Sequence, residues 1–600
     1  MLSTIESRVH AIREWLLTSD LDALIIPHED EFLGEYLPAR NERLLWATGF
    51  TGSAGVSVIT KTDAAIFVDG RYTVQVQKQV PADIFEYRHL VDEPIQQWLA
   101  NRADALSKVA FDARLHTGVW LQRTKVSLPE SITLVPLESN PIDALWQDRP
   151  DFANSPIRLL DITSVGINSL DKRNSIAQSL REQHADTAII TQLDAICWLL
   201  NIRGLDVPRL PVVLSHALLY SDGSLDLFVD PSRVPDTLNN HVGVGVQVYN
   251  PKELENRLHM LKGKNVIIDP SSSNAWFEMK LIEAGATITK SDDPCSLQKA
   301  VKNSVEIDGM KACHIRDGAS MVTFLHWLDN EVEKGQLHDE AVLSDKLEQI
   351  RRLDDSLVDL SFDTISAAGD NAAMCHYNHN DQEQPGRLTN NSLYLVDSGG
   401  QYLNGTTDIT RTIAIGEPND EMKKQFTLVL KGHISLSSAL FPKGTSGHQL
   451  DALARQHLWQ YGFDFDHGTG HGVGHFLSVH EGPQSISKRP ITVALQAGMV
   501  VSNEPGYYRA DHFGIRIENL ELVVEKETGG DFVALGFESL TRCPIDKRNI
   551  VVSMLTDKEV DWLNKYHRQV WNDVSPLVSE DAKIWLSSAT SPITPEDSTN

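Results

Sequence analysis

Three histidines spaced four residues apart stand in a glycine-rich stretch, HGTGHGVGH, at residues 467–475. On an α-helix this spacing would place all three imidazoles on one face, as in a helix that binds zinc. The four glycines of the stretch would cost a helix about 4 kcal/mol relative to alanine, so the sequence predicts a turn here. No HExxH zinc motif occurs either, since HEGPQ has glutamine in the fifth position.

Carboxylates follow several apolar runs and could converge on this turn. The run LYLVDSGG ends at Asp397, and after a glycine turn a second strand, DITRTIAIG, starts near Asp408. Two strands joined in this way can place both aspartates side by side. Glu504 ends the run MVVSNE, and Glu518 stands between apolar neighbours in FGIRIENLELVV. Carboxylates buried together need a cation, although an aspartate before Gly-Gly is by itself more often turn chemistry than a ligand.

The order of these motifs is more specific than any of them alone. D-S-G-G, D-I-T-R-T, H-G-T-G-H-G-V-G, N-E-P-G-Y-Y and G-I-R-I-E-N occur in this order and strongly resemble the metal-ligand motifs of the pita-bread metallopeptidases. That family includes methionine aminopeptidase, prolidase and aminopeptidase P. The resemblance implies that Asp408 and Glu518 bridge two metals, that Asp397 completes one site, and that His471 and Glu504 complete the other. Glu504 is also counted among the catalytic residues.

The implied ligand set predicts the kind of metal. Four carboxylates and one imidazole, without a thiolate, suit Mn²⁺, Co²⁺ or Mg²⁺ better than a structural Zn²⁺. We expect two divalent ions per chain, Mn²⁺ first, with Co²⁺ or Zn²⁺ as alternatives. Such a pair largely neutralises the carboxylates and acidifies a shared water into hydroxide, which can attack an amide carbonyl.

The resemblance also assigns the other histidines of this region. His376, in MCHYN, and His480, in VHEGP, match histidines that line the substrate cleft. Both are expected to be catalytic and substrate-binding, by polarising the scissile carbonyl or steadying the developing oxyanion. His467 matches a cleft histidine that contacts substrate without binding metal, and Arg516 is expected to point toward the same cleft. His475 has no assigned role, and we interpret it as structural.

Composition excludes several classes of function. The 600 residues carry 54 Lys and Arg against 82 Asp and Glu, a formal net charge of −28. This disfavours nucleic acid or an anionic membrane as the main partner, because both attract clustered cations. The five cysteines are scattered with no CxxC pair, which favours a reducing compartment. The start, MLSTIESRVHAIREWLL, is typical of an amphipathic helix and not of a signal peptide, so we expect a cytoplasmic protein without a membrane span.

The first half of the chain predicts two α/β domains of one fold. LDALIIP, VSVIT and AAIFVDG are typical of buried strands, and YTVQVQKQV of the start of a helix. A similar order of segments occurs about 160 residues later, where ADTAII is similar to LDALII and DLFVD is similar to AIFVD. This indicates a tandem repeat, although any two α/β segments share some pattern. The stretches NPIDALWQDRP and SDDPCSLQKAVKN mark boundaries, which predicts α/β domains over 1–150 and 151–298 and a catalytic domain over 299–600.

Capping patterns predict two helices around the catalytic motifs. Asn303 and Glu306 form a capping-box-like start to a long helix. Ser446 and Gln449 start a second helix, which ends just before the histidine-rich turn. The tail over 587–600, SSATSPITPEDSTN, is polar and contains proline, so we expect disorder there.

The resemblance extends beyond the catalytic motifs to the whole chain. RLLWATGFTGSAG followed by FVDGRY looks like the N-terminal domain of the creatinase/aminopeptidase P group. DALWQDRP, CWLLNIRG and KNSVEIDGMKACHIRDG resemble the large, three-domain, cytosolic form of the aminopeptidase P family. The implied fold is α/β, with two tandem creatinase-like α/β domains followed by an α+β pita-bread domain. The implied reaction removes the N-terminal residue from peptides that begin Xaa-Pro, by attack of the hydroxide shared by two metals, and the implied assembly is a homodimer.

Three alternatives share parts of this fold. A prolidase would differ in requiring Xaa-Pro dipeptides as substrates. A non-catalytic pita-bread binding protein would have lost metal ligands, whereas all five matching residues persist in this sequence. Creatinase, a hydrolase without metal, is excluded by the same observation.

Overall fold

The computed structural model describes residues 4–152 and 155–594. The described residues form two compact units. The first comprises residues up to 161 together with 167–296, and the second comprises 162–166 together with the residues from 297 onward.

The first unit begins with a six-stranded sheet. Its central strands are short, mostly apolar runs, and every residue of the strand over 23–27 is buried, as expected for a sheet covered on both faces. The sheet has the order β4-β3-β2-β1-β5-β6. The strands are β1 Ala23–Pro27, β2 Val56–Thr60, β3 Ala64–Val68, β4 Glu86–His89, β5 Lys108–Phe111 and β6 Thr133–Pro136.

A second six-stranded sheet in this unit repeats the first. Its order is β12-β11-β10-β8-β13-β14, and β7 pairs only with β9. In both sheets the strand that begins the fold pairs antiparallel on one side and parallel on the other. The predicted tandem repeat is therefore confirmed. The strands are β7 Arg158–Leu159, β8 Thr187–Ile190, β9 Ile202–Arg203, β10 His216–Tyr220, β11 Leu225–Phe228, β12 Val246–Tyr249, β13 Asn265–Ile268 and β14 Thr287–Lys290.

Short helices connect these strands. The predicted first helix is present, and Thr4 and Ser7 form its capping box. The helices before residue 301 are α1 Ile5–Thr18, α2 Arg43–Thr48, α3 Gln75–Gln79, α4 Ile95–Ala100, α5 Gly118–Ser127, α6 Pro141–Leu145, α7 Ile162–Val165, α8 Ser169–Glu182, α9 Leu193–Leu200, α10 Leu238–Val242, α11 Leu254–His259, α12 Ala275–Ala284 and α13 Ser296–Ala300.

The second unit contains the long helix that the capping pattern predicts. The Asn303 side chain accepts from the main-chain N–H groups of Val305 and Glu306, and the Glu306 carboxylate accepts from Asn303 N–H. A matching box at Ser446 and Gln449 starts the helix before the histidine-rich turn. The helices are α14 Ser304–Glu333, α15 Glu340–Arg351, α16 Asp420–Ser437, α17 Gly447–Trp459, α18 Asp557–Val574 and α19 Glu580–Ala589.

Two antiparallel sheets of this unit position the catalytic motifs. A three-stranded sheet has the order β16-β17-β20, and a six-stranded sheet has the order β21-β28-β27-β24-β22-β23. Smaller sheets join β15, β18 and β19, and β25 with β26. The strands are β15 Leu357–Leu360, β16 Ile365–Ala368, β17 Ser392–Ser398, β18 Gly400–Tyr402, β19 Gly405–Thr406, β20 Ile409–Ile415, β21 Phe441–Pro442, β22 Gly470–Gly472, β23 Glu481–Ile486, β24 Val500–Asn503, β25 Gly506–Arg509, β26 Phe513–Arg516, β27 Asn519–Lys526 and β28 Ala534–Ser539.

A fully buried arginine, Arg411 on β20, ties the two sheets together. Its guanidinium donates to the main-chain oxygens of Glu518 and Cys543, to the Asn519 side chain and to the Tyr566 hydroxyl. Buried carbonyl groups need donors of this kind. The start of β27 is therefore held against β20 by directional bonds as well as by apolar packing.

The end of the chain differs from its prediction. Disorder over 587–600 is wrong for the first eight of these residues, because α19 runs to Ala589 and Ile593 is buried in the apolar cluster that contains Leu563 of α18. The composition is polar, but Lys547 donates to Ser588 O and Ser591 O and Asn564 pairs with the main chain of Ile593, so the segment is held in place. Residues 595–600 lie outside the described part of the chain.

Two further expectations concern cysteines and membranes. All five cysteines are free thiols, and all but Cys375 are buried, in agreement with the absence of a disulfide framework from the sequence pattern. Among residues 4–152 and 155–594, none of the helices combines the length and the apolar character that crossing a bilayer requires.

Candidate metal centre

Three of the predicted ligands meet at one point of the second unit. Donor atoms of Asp408, His471 and Glu518 all lie within 4.8 Å of one another. His471 Nε2 lies 3.5 Å from Asp408 Oδ2 and 3.5 Å from Glu504 Oε1, so a fourth predicted ligand adjoins the group. No other cluster of three such side chains with this spacing occurs within residues 4–152 and 155–594.

The two aspartates reach this point from neighbouring strands. Strands β17 and β20 pair antiparallel with Asp397 opposite Thr410 and Ser398 opposite Ile409, so Asp408 directly precedes the paired part of β20. The glycine turn that the sequence predicts between them is a larger excursion, built from the short strands β18 and β19. The antiparallel register nevertheless brings the two carboxylates together as expected.

Asp397 has one oxygen engaged and one open. Arg516 donates to Asp397 Oδ2 at 2.6 Å, whereas Asp397 Oδ1 is buried without a hydrogen-bond partner. A buried carboxylate oxygen without a donor is costly. Coordination of a cation would satisfy this oxygen, so it fits the predicted role.

The glycines explain how His471 enters the centre. A side chain at Gly470 would place its Cβ 2.0 Å from Ser502 O, and one at Gly472 would meet Glu481 O at 2.3 Å. The main chain around His471 is therefore packed between β24 and β23 at a distance that only glycine allows. The prediction of a turn in place of a zinc helix is confirmed, since only the short strand β22 forms here.

Hydrogen bonds fix the direction of the His471 ring. Nδ1 donates to Gly472 O at 2.8 Å, which leaves Nε2 facing the carboxylates as an acceptor for a metal. His471 N–H donates to Ser502 Oγ, and Ser502 Oγ donates to Glu504 Oε1 at 3.1 Å. One serine on β24 thus aligns two of the predicted ligands.

Glu518 is positioned by β20, the strand that Asp408 directly precedes. Its main-chain N–H donates to Thr410 O at 3.1 Å, and Thr410 Oγ1 donates to Glu518 Oε2 at 2.8 Å. Arg411 binds the Glu518 carbonyl. Three contacts from adjacent residues of β20 therefore hold this carboxylate beside Asp408.

Electrostatics indicate that the centre lacks positive charge. Burial raises the pKa of Glu518 well above its ordinary value, and the carboxylates of Asp408 and Asp397 raise it further. Burial also raises the pKa of Asp397 and of Glu504. Burial alone would lower the pKa of His471, but the neighbouring Asp408 and Glu504 carboxylates outweigh it and raise the pKa to about 9. Two divalent cations would supply the missing charge, so the donor set fits the predicted metal pair.

His467 lies beside the centre in a second hydrogen-bonded chain. Tyr508 accepts from Arg516 Nη1 at 2.7 Å, and its hydroxyl donates to His467 Nε2, 2.8 Å away. Burial, with a smaller contribution from Arg516, lowers the pKa of His467 to about 3, so this ring stays neutral. The guanidinium of Arg516 is engaged with Asp397 and Tyr508, and its predicted contact with substrate stays a prediction. Sequence reasoning missed Tyr508, although it belongs to the same N-E-P-G-Y-Y motif as Glu504.

His376 lies close enough to His467 to contribute to the lowering of the pKa of His467. The next residue, Tyr377, is buried and donates to Glu340 Oε2 at 2.6 Å. Glu340 also accepts from the main-chain N–H of Gly386, so it organises the loop that carries His376. The sequence pattern does not indicate that Glu340 supports this loop. Glu340 lies 37 positions before Tyr377 and is the first residue of α15.

The last two predicted histidines differ in exposure. His480 is exposed, and its ring meets the His471 ring edge to face with centroids 4.4 Å apart. His475 is buried beside Gly309 of α14 and does not belong to the ligand cluster. Its environment supports the structural interpretation, and the roles of these histidines remain predictions.

Family models match nearly the whole described chain. Residues 8–145 and 148–306 each match a creatinase/prolidase N-terminal domain. Residues 308–525 match metallopeptidase family M24, and residues 533–593 match the C-terminal region of that family.

Two relatives match almost the whole of this chain. A probable Xaa-Pro aminopeptidase P from Tuber melanosporum (strain Mel28) is 39% identical over 617 residues, which cover 98% of this chain and 99% of the relative. The chain belongs to metallopeptidase family M24. A second member, aminopeptidase P2 of Arabidopsis thaliana, is 38% identical over 96% of this chain and 86% of the relative.

Two solved structures are similar to this chain in fold. X-prolyl aminopeptidase from Caenorhabditis elegans, described as a cytosolic enzyme with a di-nuclear active site, has a TM-score of 0.93 and 33% identity, and the match covers 98% of this chain and all of that one. Prolidase from Pyrococcus horikoshii OT3 has a TM-score of 0.50 and 23% identity over 62% of this chain and 99% of its own, a likeness of fold alone.

His471→Ala and His475→Ala separate a ligand from a structural histidine. His471→Ala should lower the amount of bound divalent metal and abolish turnover, because Nε2 is the ring atom that faces the carboxylates. His475→Ala should keep the metal and change only the thermal unfolding temperature. Metal stoichiometry by elemental analysis, measured with kcat, checks both. Loss of metal from His475→Ala but not from His471→Ala would mean that the wrong histidine of the glycine-rich turn has been assigned.

Metal binding should release protons, and more of them at lower pH. In the metal-free protein the carboxylates of Glu504 and Glu518 have raised pKa values, so they retain protons that a cation must displace. Raising the pH through these values removes the protons beforehand, so the apparent affinity for Mn²⁺ should rise with pH. Calorimetric titration at pH 6 and pH 8, in buffers of different ionisation enthalpy, measures the release. Equal proton counts at both pH values would contradict the electrostatic description.

Proposed function

We propose that this chain is an Xaa-Pro aminopeptidase, a metallopeptidase that removes the N-terminal residue from peptides with proline in the second position. The observation that carries the proposal is the similarity to aminopeptidases P over 98% of this chain. The donor atoms of Asp408, His471 and Glu518 lie within 4.8 Å of one another, which supports a hydrolytic metal centre at these residues.

We propose Asp397, Asp408, His471, Glu504 and Glu518 as the ligands of two divalent ions. Bound there, the ions would acidify a water and polarise the scissile carbonyl. Mn²⁺ is our first proposal for the metal, with Co²⁺ or Zn²⁺ as alternatives, because oxygen ligands predominate and no thiolate is present. The di-nuclear site of the Caenorhabditis elegans enzyme supports the number of ions.

The protein groups around the ligands would handle the substrate. His480 and His376 are proposed to donate hydrogen bonds to the scissile carbonyl oxygen as negative charge develops on it. His467, kept neutral by burial and bonded to Tyr508, is proposed to contact the peptide. Arg516 is proposed to line the same cleft while it holds Asp397 in place. Glu504 would act as ligand and catalytic carboxylate.

Proline explains why a dedicated enzyme is needed. An Xaa-Pro bond is a tertiary amide without an N–H group, and the ring fixes the local direction of the chain. A peptidase that binds its substrate through that N–H loses the contact. A site that instead binds the scissile carbonyl and the free N-terminus can accept such peptides.

The prolidase alternative is not favoured. The prolidase of Pyrococcus horikoshii OT3 matches only 62% of this chain, whereas the aminopeptidases P match it almost entirely. A non-catalytic binding protein is also disfavoured, because all five proposed ligands are present and three of them, Asp408, His471 and Glu518, lie together.

Substrate length distinguishes the two peptidases directly. Metal-free protein reconstituted with Mn²⁺ should cleave Xaa-Pro-Yaa-Zaa tetrapeptides with a higher kcat/KM than Xaa-Pro dipeptides, and the product should be the single N-terminal amino acid. Mass spectrometry of the products and initial rates give both quantities. Preference for the dipeptide would support a prolidase. Absence of cleavage with every metal tested would support the binding protein. An Xaa-Ala-Yaa-Zaa peptide is the matched control for the proline requirement.

We further propose domains over 1–150, 151–298 and 299–600, and a cytoplasmic location. The family-model matches support the three-part division. Five free thiols are typical of a reducing compartment, and the Caenorhabditis elegans protein is described as cytosolic. Cell fractionation with an antibody to the chain tests the location.

A homodimer is the proposed assembly, and peptides are its only proposed partners, without nucleic acid or membrane. The net charge of −28 supports this exclusion. Light scattering at micromolar concentrations should give twice the 66.8 kDa mass of one chain. A mass of 66.8 kDa across the whole concentration range would contradict the dimer.

A further inference from the structure

A buried ionic cluster lies next to the predicted substrate histidine His480. The carboxylate of Glu481 receives a hydrogen bond from Lys299 Nζ at 2.8 Å on one oxygen and from Lys302 Nζ on the other. All three side chains are essentially inaccessible, at 2%, 1% and 0% exposure for Lys299, Lys302 and Glu481. We call this group the lysine clamp.

The stability of the fold is a poor reason for such a cluster. Taking three charged groups out of water is expensive, and well-packed apolar side chains of similar volume are often as stable or more so. What apolar packing lacks is direction. Two ammonium groups on opposite oxygens of one carboxylate define both its position and its orientation.

The clamp acts on the main chain that carries His480. His480 directly precedes β23, and its exposed side chain is followed by the fully buried side chain of Glu481. Glu481 begins β23, and its main chain pairs with Gly472, the neighbour of His471. Fixing the Glu481 side chain therefore fixes where the His480 ring emerges, edge to face against the ring of His471.

One of the lysines is also attached to the turn before a second strand of the site. Lys302 N–H donates to Gly498 O at 3.0 Å, at the turn that leads into β24 and so to Glu504. Gly498 has a φ of +96°, and a Cβ there would lie 2.9 Å from Lys302 O. The clamp thus connects the segment before α14 with the two strands that flank His471.

We propose that Glu481, held by Lys299 and Lys302, is the positioning residue for His480. The clamp sets the distance between the His480 ring and the scissile carbonyl, and it neither binds metal nor touches substrate. This inference rests on the proposed aminopeptidase function.

A double-mutant cycle tests the link to His480. Lys299→Met and Lys302→Met each leave the carboxylate one of its two lysine contacts, so they should fold, but each frees one oxygen. Misplacement of a catalytic group by about 1 Å can cost up to about 100-fold in rate, and we expect kcat on an Xaa-Pro-Yaa-Zaa peptide to fall about 10-fold in either variant. KM and metal stoichiometry should stay unchanged. In the His480→Ala background, the same substitutions should cause no further loss, because their effect passes through that ring.

The matched control is Lys311→Met. Lys311 forms an ion pair of similar length, 2.9 Å, with Glu538, but both side chains are more than one third exposed. Such a surface pair contributes little, so kcat should equal that of the wild type in both backgrounds. Thermal unfolding of every variant verifies that the compared proteins are folded.

Amide hydrogen exchange of metal-free protein supplies a readout that is independent of turnover. The peptide over 472–486 should exchange faster in Lys299→Met and Lys302→Met than in wild type, and at the wild-type rate in Lys311→Met. Equal losses of kcat with and without His480, or unchanged exchange over 472–486, would overturn the positioning role. If the wild type cleaves no Xaa-Pro peptide, the proposed function fails, whereas the exchange experiment still decides whether the clamp holds this segment.

Discussion

The catalytic unit is organised around carboxylates that cannot all keep their charge where the fold places them. Asp397, Asp408 and Glu518 are buried together, and mutual repulsion adds to burial in raising the pKa of Glu518. A cation resolves this conflict, and few other groups can do so at that density of charge. Hydrogen bonds from Thr410 to Glu518 and from Arg516 to Asp397 keep these carboxylates close together in the metal-free protein.

The predicted ligands are positioned by residues that are themselves restrained by close packing and by hydrogen bonds. Glycines let the main chain around His471 lie against two strands at once, and Arg411 ties the start of β27 to β20. The predicted ligands lie in or beside different strands, so an error in the position of one strand would displace one of them relative to the rest. Buried polar bonds with strict geometry limit such errors better than apolar packing alone.

The loops that carry the predicted substrate histidines share one feature. His376 is followed by Tyr377, which is bonded to the buried Glu340, and His480 is followed by Glu481, which is bonded to buried lysines. In each case the residue next to the histidine is anchored in the interior, and the histidine itself stays accessible to a ligand. The ring, exposed at His480 and half-buried at His376, gains a defined position in this way, which suits the proposed contact with a peptide.

The sequence by itself determined the class of fold, the tandem repeat, the family and the identity of the ligand candidates, because each of these depends on short patterns and on their order along the chain. Strand periodicity, capping residues and the succession of short motifs need no knowledge of distant contacts. Only the tertiary structure decided which atoms face one another. Glu340 and Tyr377 are 37 positions apart, and Lys302 and Glu481 are 179 apart, so no local pattern links them. The same reason accounts for the tail, where polar composition suggested disorder but the burial of Ile593 against another helix ordered the segment. Burial and pairing are properties of the assembled chain, and these set the charge and direction of every side chain at the centre.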